Sequence, residues 1–523
     1  MSLIRHFATV GGATLSSRIL GFVREVLIAS LLGSGPVADA FYAAFRFPNL
    51  FRRLFAEGAF NTAFVPLFAK TLEGDGREAA RDFARDILSF LLIILLGLTI
   101  LAELAMPFVV DTIVAPYFDN EDGKRDLTIL LTRIMFPYLL CMSLVAMLSG
   151  VLNTFRKFFA AALAPVLLNV VMIAVLLICL VFDTGNSSLT GQLMAWGVFA
   201  GGLLQLLMLV LALKRQGFLF APRIPKPTPK VKRLLILAFP AAIAGGVTQI
   251  NLLIGQIIAS QQDGAISVLQ YADRLYQLPL GVIGIAIGVV LLPELSRHLK
   301  ADRQEAAIET ENQSILFGMV LTVPAAIALA IIPTPLIAAV FQHGAFTSED
   351  TALTARVLTA FAFGLPAFVL IKIFSPGYFA REDTATPMRF AAVSVAVNVV
   401  GSLALFPVFG PVGIAYATSV SGWVNAALLF AGLIKRGHWS FASGTLRQLG
   451  GVLLSAAIMG GLLWWGESTL SGLVTSTAIL ARISLMLALV TFGAVTYFVA
   501  IQLTGTLDLR QARRFLRRSE PRD

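Results

Sequence analysis

Long apolar runs separated by short polar stretches repeat along the whole chain. Ten are clear, at residues 84–113, 127–154, 158–182, 190–214, 312–340, 351–377, 385–408, 411–434, 448–466 and 477–504. About 20 apolar residues carry a helix across the hydrocarbon of a bilayer. Four weaker runs, at 6–33, 37–69, 233–260 and 265–296, have the length and the helical period but contain polar and charged residues. Ten and four together predict an all-α polytopic membrane protein with fourteen transmembrane helices. Helices are expected because each satisfies its own backbone hydrogen bonds where lipid offers none.

Composition agrees. Charged residues make up only 13% and hydrophobic residues 57%, whereas a soluble chain carries about 25% charged residues. That excludes an ordinary soluble enzyme and a disordered chain. Cys141 and Cys179 lie inside apolar runs, so neither a disulfide framework nor thiol catalysis is expected. A net charge of +10 would suggest nucleic acid in a soluble protein. Here the basic residues sit in short loops and the tail, which is how topology is set, and no nucleic-acid partner is expected. With the N-terminus cytoplasmic, the inward segments hold Arg5, the 70–85 stretch, Arg156, Lys157, the 214–233 linker, Arg297–Arg303, Arg381, Arg389, Lys435, Arg436, Arg447 and the tail arginines 510–522. The outward loops hold only Lys124 and Arg125, beside Asp119, Glu121, Asp122 and Asp126. This acidic loop reads as solvated, because its spacing is not that of a calcium loop. Both termini are therefore expected inside. The first segment is broken by Arg18 and Arg24 and reads as a retained helix, not a signal peptide.

The chain also echoes itself. Ile28-Ala29-Ser30 recurs as Ile258-Ala259-Ser260, Pro48 matches Pro279, Pro137 matches Pro366, and Asn169 matches Asn398, all at nearly one offset. Residues 1–215 and 233–434 thus read as two parallel six-helix repeats, joined by a basic, Pro-rich cytoplasmic linker at 216–232. Two extra helices follow at 448–504, then a basic cytoplasmic tail at 505–523.

Charges inside the spans carry the functional signal. The first helix has Arg18, Arg24 and Glu25; the second has Asp39, Arg46, Arg52, Arg53 and Glu57; the eighth has Asp273 and Arg274; the tenth has Lys372. A mid-membrane arginine costs about 2.5–3.5 kcal/mol on insertion scales, so these groups are expected to face a wet cavity or to pair with acids. Asp39, Arg46 and Arg53 are seven apart, which stacks them on one helix face. Across helices one, two and eight, six arginines stand against four acids. The excess suits an anionic substrate, and the guanidinium fork matches phosphate oxygens. Internal ion pairing that only staples helices together is the plain alternative. No nucleotide loop, zinc motif or paired-aspartate magnesium motif is present. Neither a cofactor nor a metal site is expected, and the sequence names no coupling ion.

Several blocks resemble one family. Ser17-Arg18-Ile-Leu-Gly-Phe-Val-Arg24-Glu25, Phe47-Pro-Asn-Leu-Phe-Arg52-Arg53-Leu-Phe-Ala-Glu57-Gly, Tyr271-Ala-Asp-Arg274-Leu and Ser375-Pro-Gly-Tyr-Phe-Ala-Arg381 are similar to the MurJ (MviN) family of the multidrug/oligosaccharidyl-lipid/polysaccharide exporter superfamily. The resemblance spans the whole chain. It implies a flippase of the bacterial inner membrane for lipid II, the undecaprenyl-diphosphate-linked peptidoglycan precursor, working by alternating access around a cationic central cavity. It further implies that Arg18, Arg24, Arg52 and Arg274, with Arg53, hold the diphosphate. Glu25, Asp39, Glu57 and Asp273 would act as cavity acids and in gating, with Arg46 and Lys372 in secondary roles. The last two helices would shape a groove for the prenyl tail. Membrane lipids and the cell-wall synthesis machinery are further expected partners. One departure stands out: where some members bind sodium through acids on the seventh and eleventh helices, this chain has Gln249, Asn251 and Asn398. Rival readings are a flippase for another prenyl-diphosphate sugar, a multidrug exporter of the superfamily, or, in a different class, a membrane enzyme or scaffold.

Overall fold

The computed structural model describes residues 2–53, 60–119, 123–224, 228–474 and 478–506. The expectations on Glu57, on Glu121 and Asp122, on part of the Pro-rich linker and on the tail arginines lie outside these residues. Eighteen α-helices follow in order among the described residues. They are α1 Ser2–Leu32, α2 Pro36–Arg52, α3 Phe60–Gly74, α4 Gly76–Leu104, α5 Met106–Val109 (continued by a π-turn, Val110–Val114), α6 Lys124–Met135, α7 Tyr138–Thr154, α8 Phe158–Val181 and α9 Ser188–Arg215. Then come α10 Pro229–Ala259, α11 Ala265–Lys300, α12 Gln304–Ile331, α13 Pro333–Phe341, α14 Ser348–Phe379, α15 Ala385–Phe409, α16 Pro411–Lys435, α17 Thr445–Val474 and α18 Ile479–Leu503. No strand forms among the described residues. Ten helical spans are long and apolar enough to cross a membrane, counting α6 and α7 as one. The four weaker runs are helical where described and are not among those ten.

Two runs differ from their expected form. The 127–154 run breaks between α6 and α7 at Pro137, which has no N–H to donate and whose ring crowds the preceding turn. The 312–340 run breaks at Ile332, ahead of Pro333.

The chain folds as two compact units, residues 1–267 with 344–346, and residues 268–343 with 347–523. In the first unit, the α6–α7 span is the innermost, with 78% of its apolar window buried; in the second, α14 is, with 61%. The other spans bury 17–39%, which leaves most of their apolar surface for lipid. The repeat-related prolines Pro137 and Pro366 therefore each belong to the most enclosed span of a unit. The linker is tied to the first unit: Arg223 donates to Asp86 at 2.7 Å and to Asp82 at 3.3 Å, and Lys230 to Asp75 at 2.6 Å. The Lys230 hydrogen bond holds the Asp75 carboxyl below the usual carboxylate range.

In the second unit, α17 and α18 pack on α12. Met459 and Leu463 of α17 and Leu485 and Leu489 of α18 join Ile315, Met319 and Val323 of α12 in one core. Tyr497 donates to the Val320 carbonyl at 2.8 Å, a polar anchor for an otherwise apolar helix.

Candidate functional site

Two polar clusters in the first unit hold Arg24, Glu25 and Asp39 among the candidate residues. The first lies on α1. Arg24 and Glu25 are buried, at 8% and 1% exposure. Arg24 Nη2 donates to Glu25 Oε1 at 2.7 Å, and Nη1 to Asn169 Oδ1 of α8 at 3.0 Å. Tyr42 of α2 donates to the other Glu25 oxygen at 2.7 Å. The Asn169 amide donates to the Ser17 carbonyl at 3.0 Å. Arg24 and Glu25 thus form an ion pair, and Asn169 binds it to a third helix. Arg18 precedes Glu25 by seven residues, so it lies on the same stripe of α1, about 10 Å away along the axis. It is exposed and has no hydrogen bond or ion pair among the described residues.

On α2, Arg46 is half-buried, Arg52 Nε donates to Asn49 Oδ1 at 2.7 Å, and Arg53 is exposed at the helix end. Arg46, Arg52 and Arg53 all have further interactions within the fold.

The second cluster corrects the reading of Asp39. The sequence paired this acid with arginines and left Lys124 in a solvated loop. Instead Asp39 is fully buried, and Lys124 is buried at 4% exposure. Lys124 Nζ donates to Asp39 Oδ2 at 3.0 Å and to Asp263 Oδ1 at 2.5 Å. Asp39 also accepts from the Gly264 N–H at 2.7 Å, the Ser267 N–H at 2.9 Å and the Ser267 hydroxyl at 2.8 Å. The Phe118 ring covers the ammonium, 4.0 Å from its centroid. The loop between α10 and α11 is thereby clasped to the starts of α2 and α6. Gly264 has φ +75°, and a Cβ there would come 2.7 Å from the Ser34 carbonyl, so only glycine lets the loop reach the acid. Beside the clasp, Arg125 holds Asp111 with two 2.7 Å bonds. Those bonds keep the Asp111 carboxyl below its usual range.

Sequence reasoning missed Lys124, Asp263, Gly264 and Ser267. A signal existed for Lys124, since it is one of two basic residues on the side where basic residues are scarce.

In the second unit, Asp273 and Arg274 of α11 are half-buried, and Asp273 accepts from Gln277 one turn on. Both have further interactions. Lys372 of α14 is exposed. Its stem lies on Gly284 of α11, where a Cβ would stand 2.6 Å from Lys372 Cδ. A glycine thus holds this ammonium in place through its methylenes. Glu311 of α12, which the sequence did not single out, is 1% exposed, and neither carboxylate oxygen has a hydrogen-bond partner among the described residues.

Chemically, the α1 stretch offers one open guanidinium next to a buried ion pair, an arrangement suited to an anion. The clasp, closed by five hydrogen bonds, suits a latch. The model of the family described as Lipid II flippase MurJ matches residues 28–483. The chain belongs to the MurJ family. It is therefore a transporter and not an enzyme, as the family resemblance implied. A relative from Rhizobium tropici, a probable lipid II flippase MurJ, is 49% identical, with 100% of this chain and 98% of that protein covered. The lipid II flippase MurJ of Burkholderia cenocepacia is 36% identical, with 97% and 98% covered. Among solved structures, a lipid II flippase MurJ in an inward closed conformation superposes with a TM-score of 0.79 at 26% identity, covering 94% of this chain and 98% of that one. An inward-facing MATE-family multidrug transporter of the same superfamily has the same fold, with a TM-score of 0.67 at 15% identity, covering 80% and 94%.

Proposed function

We propose that this chain moves lipid II from the cytoplasmic to the periplasmic leaflet of the bacterial inner membrane. Family membership over nearly the whole chain supports the substrate. Within the molecule, the observation that carries the reading is Arg18: an exposed guanidinium without a partner among the described residues, on the stripe of α1 that also holds Glu25. A buried charge is retained where something offsets its desolvation. Glu25 and Asn169 do this for Arg24, whereas Arg18 stays exposed and open to a diphosphate.

The cycle we envisage is alternating access. The diphosphate–sugar head is taken up from the cytoplasm against the arginines of α1 and α2 while the prenyl tail stays in the bilayer. The two sequence repeats, 1–215 and 233–434 with their linker at 216–232, move against each other to release it outward. The Asp39–Lys124 clasp is the outer latch, and opening it exchanges five hydrogen bonds of Asp39 and Lys124 for water. We place both termini in the cytoplasm, on the distribution of basic residues, and assign the cycle no resident cofactor. The cell-wall synthesis machinery would take up the delivered substrate.

The test is reconstitution in liposomes with purified lipid II and an outer-leaflet probe. Wild-type protein should expose lipid II to the probe, and Arg18→Ala should slow exposure by at least about tenfold, the order of one lost charge-assisted contact. Wild-type rates in the Arg18→Ala protein would remove the central support for the gripping role.

A further inference from the structure

A groove at the basic end of α7, α8 and α9 in the first unit takes no part in the transport reading. Its volume is about 610 Å³. One wall is a single stripe of α9, Leu204, Leu207, Met208 and Leu211, and Arg215 continues the stripe at the mouth. Leu167 of α8 faces this wall. Arg156 and Lys157, from the turn between α7 and α8, complete the rim. That turn is built: Arg156 has φ +57°, its N–H donates to Asn153, and the Lys157 N–H donates to Leu152.

Several other basic residues near the same helix ends are engaged within the protein. Arg223 and Lys230 are paired with aspartates, and Arg77 and Arg81 donate to the Gln216 and Gly217 carbonyls. Arg156, Lys157 and Arg215 are exposed and have no acidic partner among the described residues. Three uncompensated cations thus stand over an apolar slot. Basic pockets between transmembrane helices on the cytoplasmic side suit anionic lipid head groups.

We propose that this groove binds an anionic glycerophospholipid, its phosphate at Arg156, Lys157 and Arg215 and one acyl chain along α8 and α9. The size selects this occupant. At roughly 30 Å³ per water-sized group, the groove takes on the order of twenty carbons, which is one acyl chain. The polyprenyl tail of lipid II is several times longer. Placing the bound lipid in the cytoplasmic leaflet rests on the orientation proposed above; the binding itself does not.

The experiment is native mass spectrometry of the full-length protein in detergent, titrated with phosphatidylglycerol or with phosphatidylcholine of the same acyl chains. Wild type should retain phosphatidylglycerol preferentially. The R156Q/K157Q/R215Q protein should lose at least about tenfold of that preference, whereas R297Q/K300Q, which removes two basic residues elsewhere, should keep it. Leu207→Trp, which fills the slot and leaves the rim intact, should weaken retention as well. Thermal melting of each variant in lipid-free detergent separates lost binding from lost fold. Equal retention of the two lipids by wild type, or an unchanged preference in R156Q/K157Q/R215Q, overturns the proposal. Displacement of phosphatidylglycerol by undecaprenyl diphosphate in wild type but not in the Leu207→Trp protein would also overturn it, by assigning the slot to the substrate's carrier. Flipping by the Arg18→Ala protein is a separate readout, so failure of the transport reading leaves this test intact.

Discussion

Asp39 and Arg18 are both charged side chains of the first unit that the sequence marks as costly, and the fold treats them in opposite ways. Asp39 has no exposure and accepts from Lys124, from two backbone N–H groups and from a hydroxyl. Arg18 is exposed and takes no partner among the described residues. Arg24 lies between the extremes, buried with Glu25 and Asn169 while its Nε stays unbonded. A polar group whose valences are all filled by the protein acts on the protein, holding elements together. One that is left open can act on a ligand. In this unit the acids fill the first role and an arginine of α1 the second.

The largest expected effect comes from opening the filled site. Asp39→Ala strands Lys124 with Asp263 alone and orphans the Gly264 and Ser267 donors. Removing one partner of a buried pair costs about 3–5 kcal/mol, so the variant should melt well below wild type in detergent. Asp39→Ala combined with Lys124→Met should recover part of the loss, because the second change removes the stranded charge. If the single variant melts like wild type, the clasp does not hold the fold together.

Next are the two arginines of α1, which separate folding from transport. Arg24→Ala takes the guanidinium from buried Glu25 and should cost about 2–3 kcal/mol of stability along with flipping. Arg18→Ala should leave stability within about 0.5 kcal/mol, as surface changes do, while flipping falls. Paired melting and flipping assays on both variants check this. Equal loss of stability in the two would erase the distinction between filled and open sites.

The sequence revealed some of this and hid the rest for physical reasons. Helices α8, α9, α14, α15 and α16 begin and end within three residues of their apolar runs, because a continuous lipid-length run has one way to satisfy its backbone. That the arginines of the spans need an offset could be read, but not that Glu25 and Asn169 supply it for Arg24. Lys124 could not be read as buried: its immediate neighbours are polar and acidic, and its partners lie 85 positions away in α2 and 139 positions away at Asp263. Asn169 was visible as a mark of the repeat, but its bonds to Arg24 and Ser17 depend on how α8 packs on α1.

The smallest effect extends the comparison to the second unit and to pH. His438, in the turn after α16, is half-buried, and its Nδ1 has no partner among the described residues. Burial first, then the nearby Arg381 and Arg436, push its imidazole below the usual value of 6.5. The charged groups around it do not reverse this: Arg436 is held by Asp383 at 2.6 Å, and Arg381 bonds the Gly377 carbonyl at 2.6 Å and the His438 carbonyl at 3.5 Å. The fold therefore keeps His438 neutral at a pH where the unfolded chain already takes up the proton. The histidine's contribution is complete above pH 6.5 and is lost as the pH falls from there toward the lowered native value. Wild type should melt progressively lower as buffer moves from pH 7 to pH 5, and His438→Gln should flatten that part of the profile. His343, also lowered by burial and by Arg482, adds to the same slope, so flattening will be partial in the single variant and greater in the double. A profile that His438→Gln leaves unchanged would mean that this half-filled group, unlike Asp39, contributes nothing to holding its unit together.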